Sequence, residues 1–254
     1  MGVERNDFIA SKETMRDLRR DYSVVRDSFQ ESLGTLVREV SDFLVTKYGE
    51  FMPNTKDQIS DGIENRLLFL TKESYVKFHK DWLGREESRN PTAYVCKKGG
   101  ITVLLDTLEV WAGISQTEKE KFIEYFGSKE QAITELTYIN LIANIVHETV
   151  HQFQDWSLPE LFFEMGTVYY QEEINRERDY ECPTTEKQDK ISHLYKELIE
   201  EFGEENMHKL YFGGFKNTFE RKMLLMQVEI FIDMKDAKSL LPGYGNDVGE
   251  ARTN

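Results

Sequence analysis

The stretch Ile145-Val146-His147-Glu148-Thr149-Val150-His151 contains the pattern H-E-x-x-H, late in a long apolar segment that begins after Ser128. This segment predicts a helix from Ser128 to about Trp156, on which the two histidines, four residues apart, share one face. Two neutral imidazoles so placed can occupy adjacent corners of a Zn²⁺ tetrahedron, while Glu148 can reach a water on the metal. The sequence therefore predicts a zinc site with His147 and His151 as ligands and Glu148 as general base.

A third ligand is expected on the next apolar segment, from Leu161 to Tyr170, which follows after a short loop. Glu164 lies in this segment, 13 residues after His151. A carboxylate placed between Phe163 and Met165 needs a cation as its partner. Glu164 is therefore the preferred third ligand.

Three other carboxylates compete with Glu164 for this position: Glu160, Glu172 and Glu173. Glu160 is better explained as a first-turn charge that interacts with a helix dipole. Glu172 and Glu173 follow the apolar part of the segment and are typical of a solvated acidic face.

These residues resemble the zinc-dependent peptidases of the gluzincin type, in which H-E-x-x-H on one helix is completed by a Glu on the next. Glu164-Met165-Gly166-Thr167-Val168-Tyr169 is similar to the E-G-x-x-x-Y element of aminopeptidase-N-like enzymes. Gln154 extends the first motif to H-E-x-x-H-x-x-Q, the form found in compact gluzincin proteases. The resemblance spans Ile145 to Tyr170 and differs from the family in Met165, which stands where Gly is common.

The resemblance implies a zincin-like fold, with a small sheet or hairpin before the active-site helix and further helices at both ends of the chain. It implies Zn²⁺ as cofactor, held by His147, His151 and Glu164, and hydrolysis of a peptide bond with Glu148 as general base. The signature that binds a free amino terminus is not visible, which weakens the case for aminopeptidase activity. Endopeptidase and aminopeptidase activity both stay open.

A donor that stabilises a tetrahedral oxyanion is expected on the C-terminal helices. The candidates are His193, Tyr195, His208 and Tyr211. His208 and Tyr211 are preferred because they lie three residues apart and face one way on a helix. Surface or packing roles are the alternative for all of them.

Two runs rich in β-branched residues, Thr92–Cys96 and Ile101–Leu105, flank a turn that contains Gly99 and Gly100. This pattern predicts a hairpin. The strand Ile101–Leu105 is expected at the edge of the sheet, either as a docking edge for an extended peptide or as an ordinary edge covered by the N-terminal helix.

The sequence predicts a single domain over residues 1–254, of predominantly helical α+β class. Its parts are a long amphipathic helix (10–50), a hairpin and metal-site core (92–175), C-terminal helices (187–241) and a loose tail (242–254). Finer boundaries include a helix ending near Leu70 and further helices at Tyr75–Leu83, Gln116–Phe126, Pro159–Tyr170, Ile191–Leu210 and Phe219–Asp236. A charged loop is expected at Asn175–Lys190.

The composition excludes several classes of protein. The formal net charge is −14 over 254 residues, so nucleic acid is not an expected partner. The two cysteines, Cys96 and Cys182, are too few for a disulfide framework. With no export signal and no apolar stretch long enough to span a bilayer, a cytoplasmic location and no membrane partner are expected.

Three functional hypotheses follow. The first is a zinc-dependent metallopeptidase that cleaves a peptide or protein substrate. The second is a catalytically inactive zincin-like protein that binds a partner. The third is a helical interaction protein in which the H-E-x-x-H pattern is accidental; bound metal in stoichiometric amount would exclude it. The sequence leaves the substrate, the regulation and the oligomeric state open.

Overall fold

The computed structural model describes residues 11–22, 27–52, 63–84, 93–96, 101–105, 115–180 and 186–235. The helices in these ranges are α1 (Lys12–Tyr22), α2 (Asp27–Tyr48), α3 (Lys72–Phe78), α4 (Gln116–Phe126), α5 (Lys129–Phe153), α6 (Glu160–Arg178), α7 (Glu186–Phe202), α8 (Glu204–Phe212) and α9 (Thr218–Met234). The strands are β1 (Leu67–Leu70), β2 (Ala93–Cys96) and β3 (Ile101–Leu105). Shorter helical turns lie at Gly49–Phe51, Ile63–Arg66 and His79–Leu83. The chain is therefore of the predominantly helical α+β class, as predicted.

The strands form one sheet in the order β1-β3-β2. Strands β2 and β3 are antiparallel, with Ala93 opposite Leu104, which confirms the pairing expected of the hairpin. Strand β1 pairs parallel with β3, with Leu67 opposite Thr102. Strand β3 is thus the central strand of the sheet. The prediction that Ile101–Leu105 is an edge strand, and with it a docking edge for a peptide, is wrong.

The edge position predicted for β3 is wrong because β1 was not predicted to be a strand. The run Leu67-Leu68-Phe69-Leu70 was expected at the end of a helix, but it forms a strand after the helical turn Ile63–Arg66. Three of its four residues are buried. A continuous apolar run of this length has no period, so the sequence pattern does not separate a buried strand from a buried helix.

The helices before the H-E-x-x-H motif begin at capping residues. The Ser115 side chain accepts from the backbone of Glu118, whose carboxylate accepts in return from Ser115, so α4 begins with a capping box. The Ser128 hydroxyl accepts from the backbone N–H of Gln131 at 3.1 Å at the start of α5. Both helices were predicted, and their starts are confirmed.

The C-terminal helices differ from the prediction in their boundaries. Helix α6 continues past Tyr170 to Arg178, with Ile174 and Asn175 buried, so the predicted loop at 175–190 begins too early. Helix α7 already begins at Glu186, which shortens that loop from its other end. The predicted helix Ile191–Leu210 is interrupted at Gly203, whose φ of 87° only glycine adopts easily.

The predicted N-terminal helix, 10–50, corresponds to α1 and α2. Its apolar stripe is buried at Leu18, Val40 and Leu44. Residues 23–26 and the predicted tail, 242–254, lie outside the described residues. None of the helices in the described ranges combines the length and the apolarity needed to cross a bilayer.

The chain divides into two compact units, residues 1–42 with 60–152 and residues 43–59 with 153–254. The first unit has a core of aliphatic and aromatic side chains from α1, α3 and the sheet: Met15, Leu18, Leu68, Leu70, Tyr75, Phe78, Ile101 and Val103. The second unit has an aromatic core with buried polar groups: Tyr48, Phe162, Tyr170, Tyr195, His208, Tyr211 and Phe212. The single domain over 1–254 stays a prediction.

Candidate metal centre

The H-E-x-x-H motif occupies the last turns of α5. The Nε2 atoms of His147 and His151 lie 3.0 Å apart, and the ring planes are inclined at 82°. Two nitrogen ligands of a tetrahedral zinc ion lie about 3.3 Å apart, because each Zn–N bond is about 2.0–2.1 Å long. The two Nε2 atoms are thus within hydrogen-bond distance of each other and about 0.3 Å closer than two ligands of one zinc ion, as expected from their spacing on one helix face.

Glu164 completes the group. One carboxylate oxygen of Glu164 and one ring nitrogen of each histidine all lie within 4.8 Å of one another. His151 is buried, and His147 and Glu164 are half-buried. Among the residues that the structure describes, this is the one group of three or more His, Cys, Asp or Glu side chains close enough to hold an ion.

Two of the competing carboxylates lie in ion pairs instead. Glu173 Oε2 is 3.0 Å from Lys47 Nζ, which lowers the pKa of the carboxyl against the opposing effect of its burial. Glu172 Oε2 is 3.0 Å from Lys196 Nζ and also accepts from the Ser192 hydroxyl. These positive partners account for the two carboxylates without a metal ion.

Glu148, the predicted general base, lies within the same helical turn as the histidines. Its side chain is buried, as are Thr149 and Val150 beside it. Since consecutive residues project about 100° apart around a helix, Glu148 points away from the line of the two imidazoles but stays on the adjoining face. This position suits a group that contacts a water on the ion rather than the ion itself.

The motif helix is joined to the sheet by a buried hydrogen bond. The Gln152 side-chain N–H donates to the Thr102 hydroxyl of β3 at 3.1 Å. Both side chains are buried, so the bond has no competition from solvent. Sequence reasoning missed this contact, because the two residues are 50 positions apart and neither belongs to a recognised motif.

The helical turn that follows Glu164 on α6 packs against Tyr211 of α8. The Tyr211 ring lies directly against Gly166, where an added Cβ would come within 2.3 Å of a ring carbon. The Tyr211 hydroxyl and Thr167 Oγ1 share a hydrogen bond of 2.6 Å, and the Thr167 hydroxyl donates to the Phe163 carbonyl at 2.8 Å. Gly166 is therefore needed so that Tyr211 can reach α6, a role that its place in the E-x-G pattern does not reveal.

The Tyr211 hydroxyl is protonated in this arrangement. Burial raises the pKa of its hydroxyl well above the usual range, the bond to Thr167 opposes this, and the charges of Tyr195 and Glu164 add to the rise. The Tyr211 carbonyl also accepts from the Asp155 backbone N–H at 2.7 Å, in the loop that precedes α6. Tyr211 thus contacts both the loop before α6, at Asp155, and the helical turn that follows Glu164.

His208, the other preferred oxyanion donor, belongs to the aromatic core of the second unit. Its Nδ1 lies 2.7 Å from the Tyr170 hydroxyl and its Nε2 lies 3.4 Å from Glu204. Burial lowers the pKa of its imidazole, against the opposing effect of Glu204. His208 is thus buried, with Nδ1 bonded in the core and Nε2 facing the exposed Glu204, and its role as an oxyanion donor stays a prediction.

The two remaining candidates differ in their surroundings. His193 is 75% exposed and lies 3.6 Å from Glu197, so it is a surface residue. Tyr195 is fully buried, with its hydroxyl 3.4 Å from that of Tyr170. Tyr211 packs against Gly166, two residues after Glu164, so it is the candidate with the closest described contact beside a proposed ligand.

Asp155 lies in the loop between α5 and α6 and holds that loop in place. Its carboxylate accepts from the Ser157 backbone N–H at 3.0 Å and lies 2.9 Å from Arg221 Nη2. The loop between the two helices is thereby tied to the start of α9 as well as to Tyr211.

No protein-family model, no curated protein and no solved structure matches the chain. The resemblance to gluzincins therefore depends on the residues from Ile145 to Tyr170 and on the three convergent donors. Membership of that family stays a prediction.

Proposed function

We propose that the protein is a zinc-dependent metallopeptidase with a zincin-like fold, in which Zn²⁺ is held by His147, His151 and Glu164. The observation that carries the proposal is the convergence of two imidazole nitrogens and one carboxylate oxygen within 4.8 Å. The pair of histidines comes from an H-E-x-x-H helix, which also supplies Glu148 as the general base.

The donor set fits zinc. Imidazole nitrogen and carboxylate oxygen are both common zinc ligands, and three protein ligands leave one tetrahedral position open, as in catalytic rather than structural sites. Glu164 is half-buried and His151 is buried, so the three donors are partly shielded from water, which strengthens their interaction with a cation.

A zinc ion at this position would polarise a substrate carbonyl and lower the pKa of water at the open position to near neutrality. Glu148 then accepts a proton from the attacking water as its oxygen bonds to the carbonyl carbon. Glu148 would return this proton to the nitrogen as the C–N bond breaks, which gives a carboxylic acid and an amine; the acid's proton then passes to the amine, leaving a carboxylate and an ammonium group. The substrate is accordingly a peptide or a protein, with endopeptidase and aminopeptidase activity both compatible.

The first experiment measures zinc stoichiometry by elemental analysis of the purified chain and of four variants. We expect near-equimolar zinc in the wild type and in Glu148→Gln, and loss of zinc in His147→Ala and Glu164→Ala. Glu177→Ala is the matched control, because Glu177 is an exposed carboxylate on the same helix as Glu164. Absence of zinc from the reconstituted wild type would overturn the proposal.

The second experiment tests turnover with a peptide library, followed by mass spectrometry of the products. We expect cleavage by the zinc-loaded wild type and a loss of at least about 10²-fold in Glu148→Gln, the size expected for a general base. Equimolar zinc with no cleavage of any peptide or protein would favour the inactive zincin-like binding protein instead. Cleavage retained in Glu148→Gln would reject the assigned base.

A further inference from the structure

Helix α9 carries an apolar face that the described part of the chain leaves exposed. Five large apolar side chains on it are between 40% and 81% exposed: Phe219, Met223, Met226, Ile230 and Met234. Their spacing of three or four residues places them on one side of the helix. The opposite side, with Leu224, Val228 and Ile232, is buried. Helix α9 thus has two apolar faces, one buried and one exposed among the residues that the structure describes.

Such a face is a marker of an interaction site. Contiguous exposed apolar patches rimmed by polar residues are uncommon on monomers and indicate contact with another macromolecule. The other large apolar side chains that are exposed among the described residues, Val76, Tyr125 and Tyr138, belong to α3, α4 and α5.

The charges along α9 indicate the kind of partner. From Asn217 to Lys235 three basic and three acidic residues cancel, within a chain of net charge −14. Two copies of the chain can therefore approach through α9 without the repulsion that the rest of the surface would cause.

One edge of the apolar face also carries opposite charges at a spacing that suits an antiparallel pair. Lys222 and Glu229 lie seven residues apart on this edge, and both are exposed. When two copies of α9 pack antiparallel with Met226 near the centre, this edge meets itself, so that Lys222 faces Glu229 of the second copy. In a parallel arrangement Lys222 would instead face the edge that carries Gln227.

We propose that the exposed face of α9 is a self-association surface, through which two copies of the chain pair with their α9 helices antiparallel. The interface is isologous, with Phe219 of one copy near Met234 of the other and with Lys222 paired with Glu229 at two symmetric positions. A single helix face buries less than the roughly 800 Å² per partner of a standard interface, so the dimer is expected to be reversible and concentration-dependent.

The test uses sedimentation velocity of the full chain over a range of concentrations. We expect a reversible monomer–dimer equilibrium for the wild type, weakened at least about tenfold by Met226→Glu, because a charge then meets its own copy at the centre of an apolar face. Tyr125→Glu is the control: Tyr125 is 82% exposed but lies on α4, so this variant should dimerise like the wild type.

A charge exchange tests the antiparallel arrangement. Lys222→Glu and Glu229→Lys should each weaken the dimer by roughly two- to thirtyfold, as expected for two exposed pairs. The double variant, with both substitutions, should recover the wild-type affinity because each pair is restored with reversed sign. Circular dichroism of each variant checks that the helices are intact.

Three outcomes would overturn the proposal. The first is a wild type that stays monomeric at every concentration, including one whose α9 face is protected by another segment of the chain. The second is a dimer that Met226→Glu does not weaken. The third is a double variant no tighter than the single variants, which would reject the antiparallel pairing of Lys222 with Glu229.

Discussion

The helices α5 and α6 hold the proposed metal ligands in different ways. His147 and His151 are neighbours on α5, so the 3.0 Å between their Nε2 atoms is a property of one helix. The position of Glu164 on α6 depends instead on packing, in which Gly166 and Thr167 contact Tyr211. Tyr211 lies 45 positions after Gly166 in the chain. The histidine pair is thus set by local helix geometry, whereas the position of Glu164 is set by tertiary packing. The two should respond differently to perturbation.

Alkaline pH should have the largest effect on stability, and it should act on the packing that positions Glu164. Burial raises the pKa of five tyrosines of the second unit above the usual value of about 10: Tyr48, Tyr169, Tyr170, Tyr195 and Tyr211. For Tyr169 the pKa is raised to about 12. Since the folded state then binds more protons than the unfolded state, stability is complete below about pH 10 and falls as the pH rises further.

We expect cooperative unfolding of the aromatic core above about pH 10, with phenolate absorbance appearing together with the loss of helical circular dichroism. Amide hydrogen exchange should accelerate in α6 and α8 before the motif turns of α5. The control is Tyr125→Phe, which removes the hydroxyl of an exposed tyrosine and should leave the midpoint unchanged. Complete ionisation of the tyrosines without unfolding would contradict the prediction.

Gly166→Ala should have the next largest effect. The new methyl group would overlap the Tyr211 ring, so the free energy of unfolding should fall by about 1–3 kcal/mol, measured by urea denaturation. Zinc affinity should fall with it, because α6 must shift to accommodate the ring. A surface change on the same helix, Glu177→Ala, should alter stability by less than about 0.5 kcal/mol.

A double-mutant cycle identifies the cause. Tyr211→Leu makes room beside residue 166, so Gly166→Ala should cost less in the Tyr211→Leu background than in the wild type. Equal costs in the two backgrounds would show that the contact between Gly166 and Tyr211 is not the reason for the loss.

Ser128→Ala should have the smallest effect on stability. It tests whether the histidine pair is set by local helix geometry alone. It removes the N-cap bond to Gln131, about 1 kcal/mol of unfolding free energy, at the end of α5 distant from the motif. Because the histidine pair is set by its own helical turn, zinc stoichiometry should stay unchanged. Loss of zinc with retained fold would mean that the motif depends on the whole length of α5.

The parts of the fold that the sequence predicted are those set by neighbouring residues. The start of α5 follows from Ser128, and the proximity of His147 and His151 follows from a spacing of four. Even Glu164, on another helix, was found because a carboxylate in an apolar run requires a partner.

The parts that the sequence did not predict depend on residues far away in the chain. Strand β1 is identified by its pairing with β3, not by any pattern within Leu67–Leu70. The same omission caused the wrong placement of β3 at the sheet edge. The requirement for Gly166 is likewise visible only once Tyr211 lies beside it, and the break at Gly203 is set by a backbone angle that no periodicity expresses.

The parallel pairing of β1 with β3 also has a kinetic consequence. Leu67 lies opposite Thr102, so this contact spans 35 positions of the chain, whereas the β2–β3 pair closes through a short connection between Cys96 and Ile101. The entropy of closing the longer loop must be lost before the strands gain any interaction energy. In the first unit, the hairpin and α5 can form early, and the arrival of β1 is then the step that sets the folding rate of the sheet.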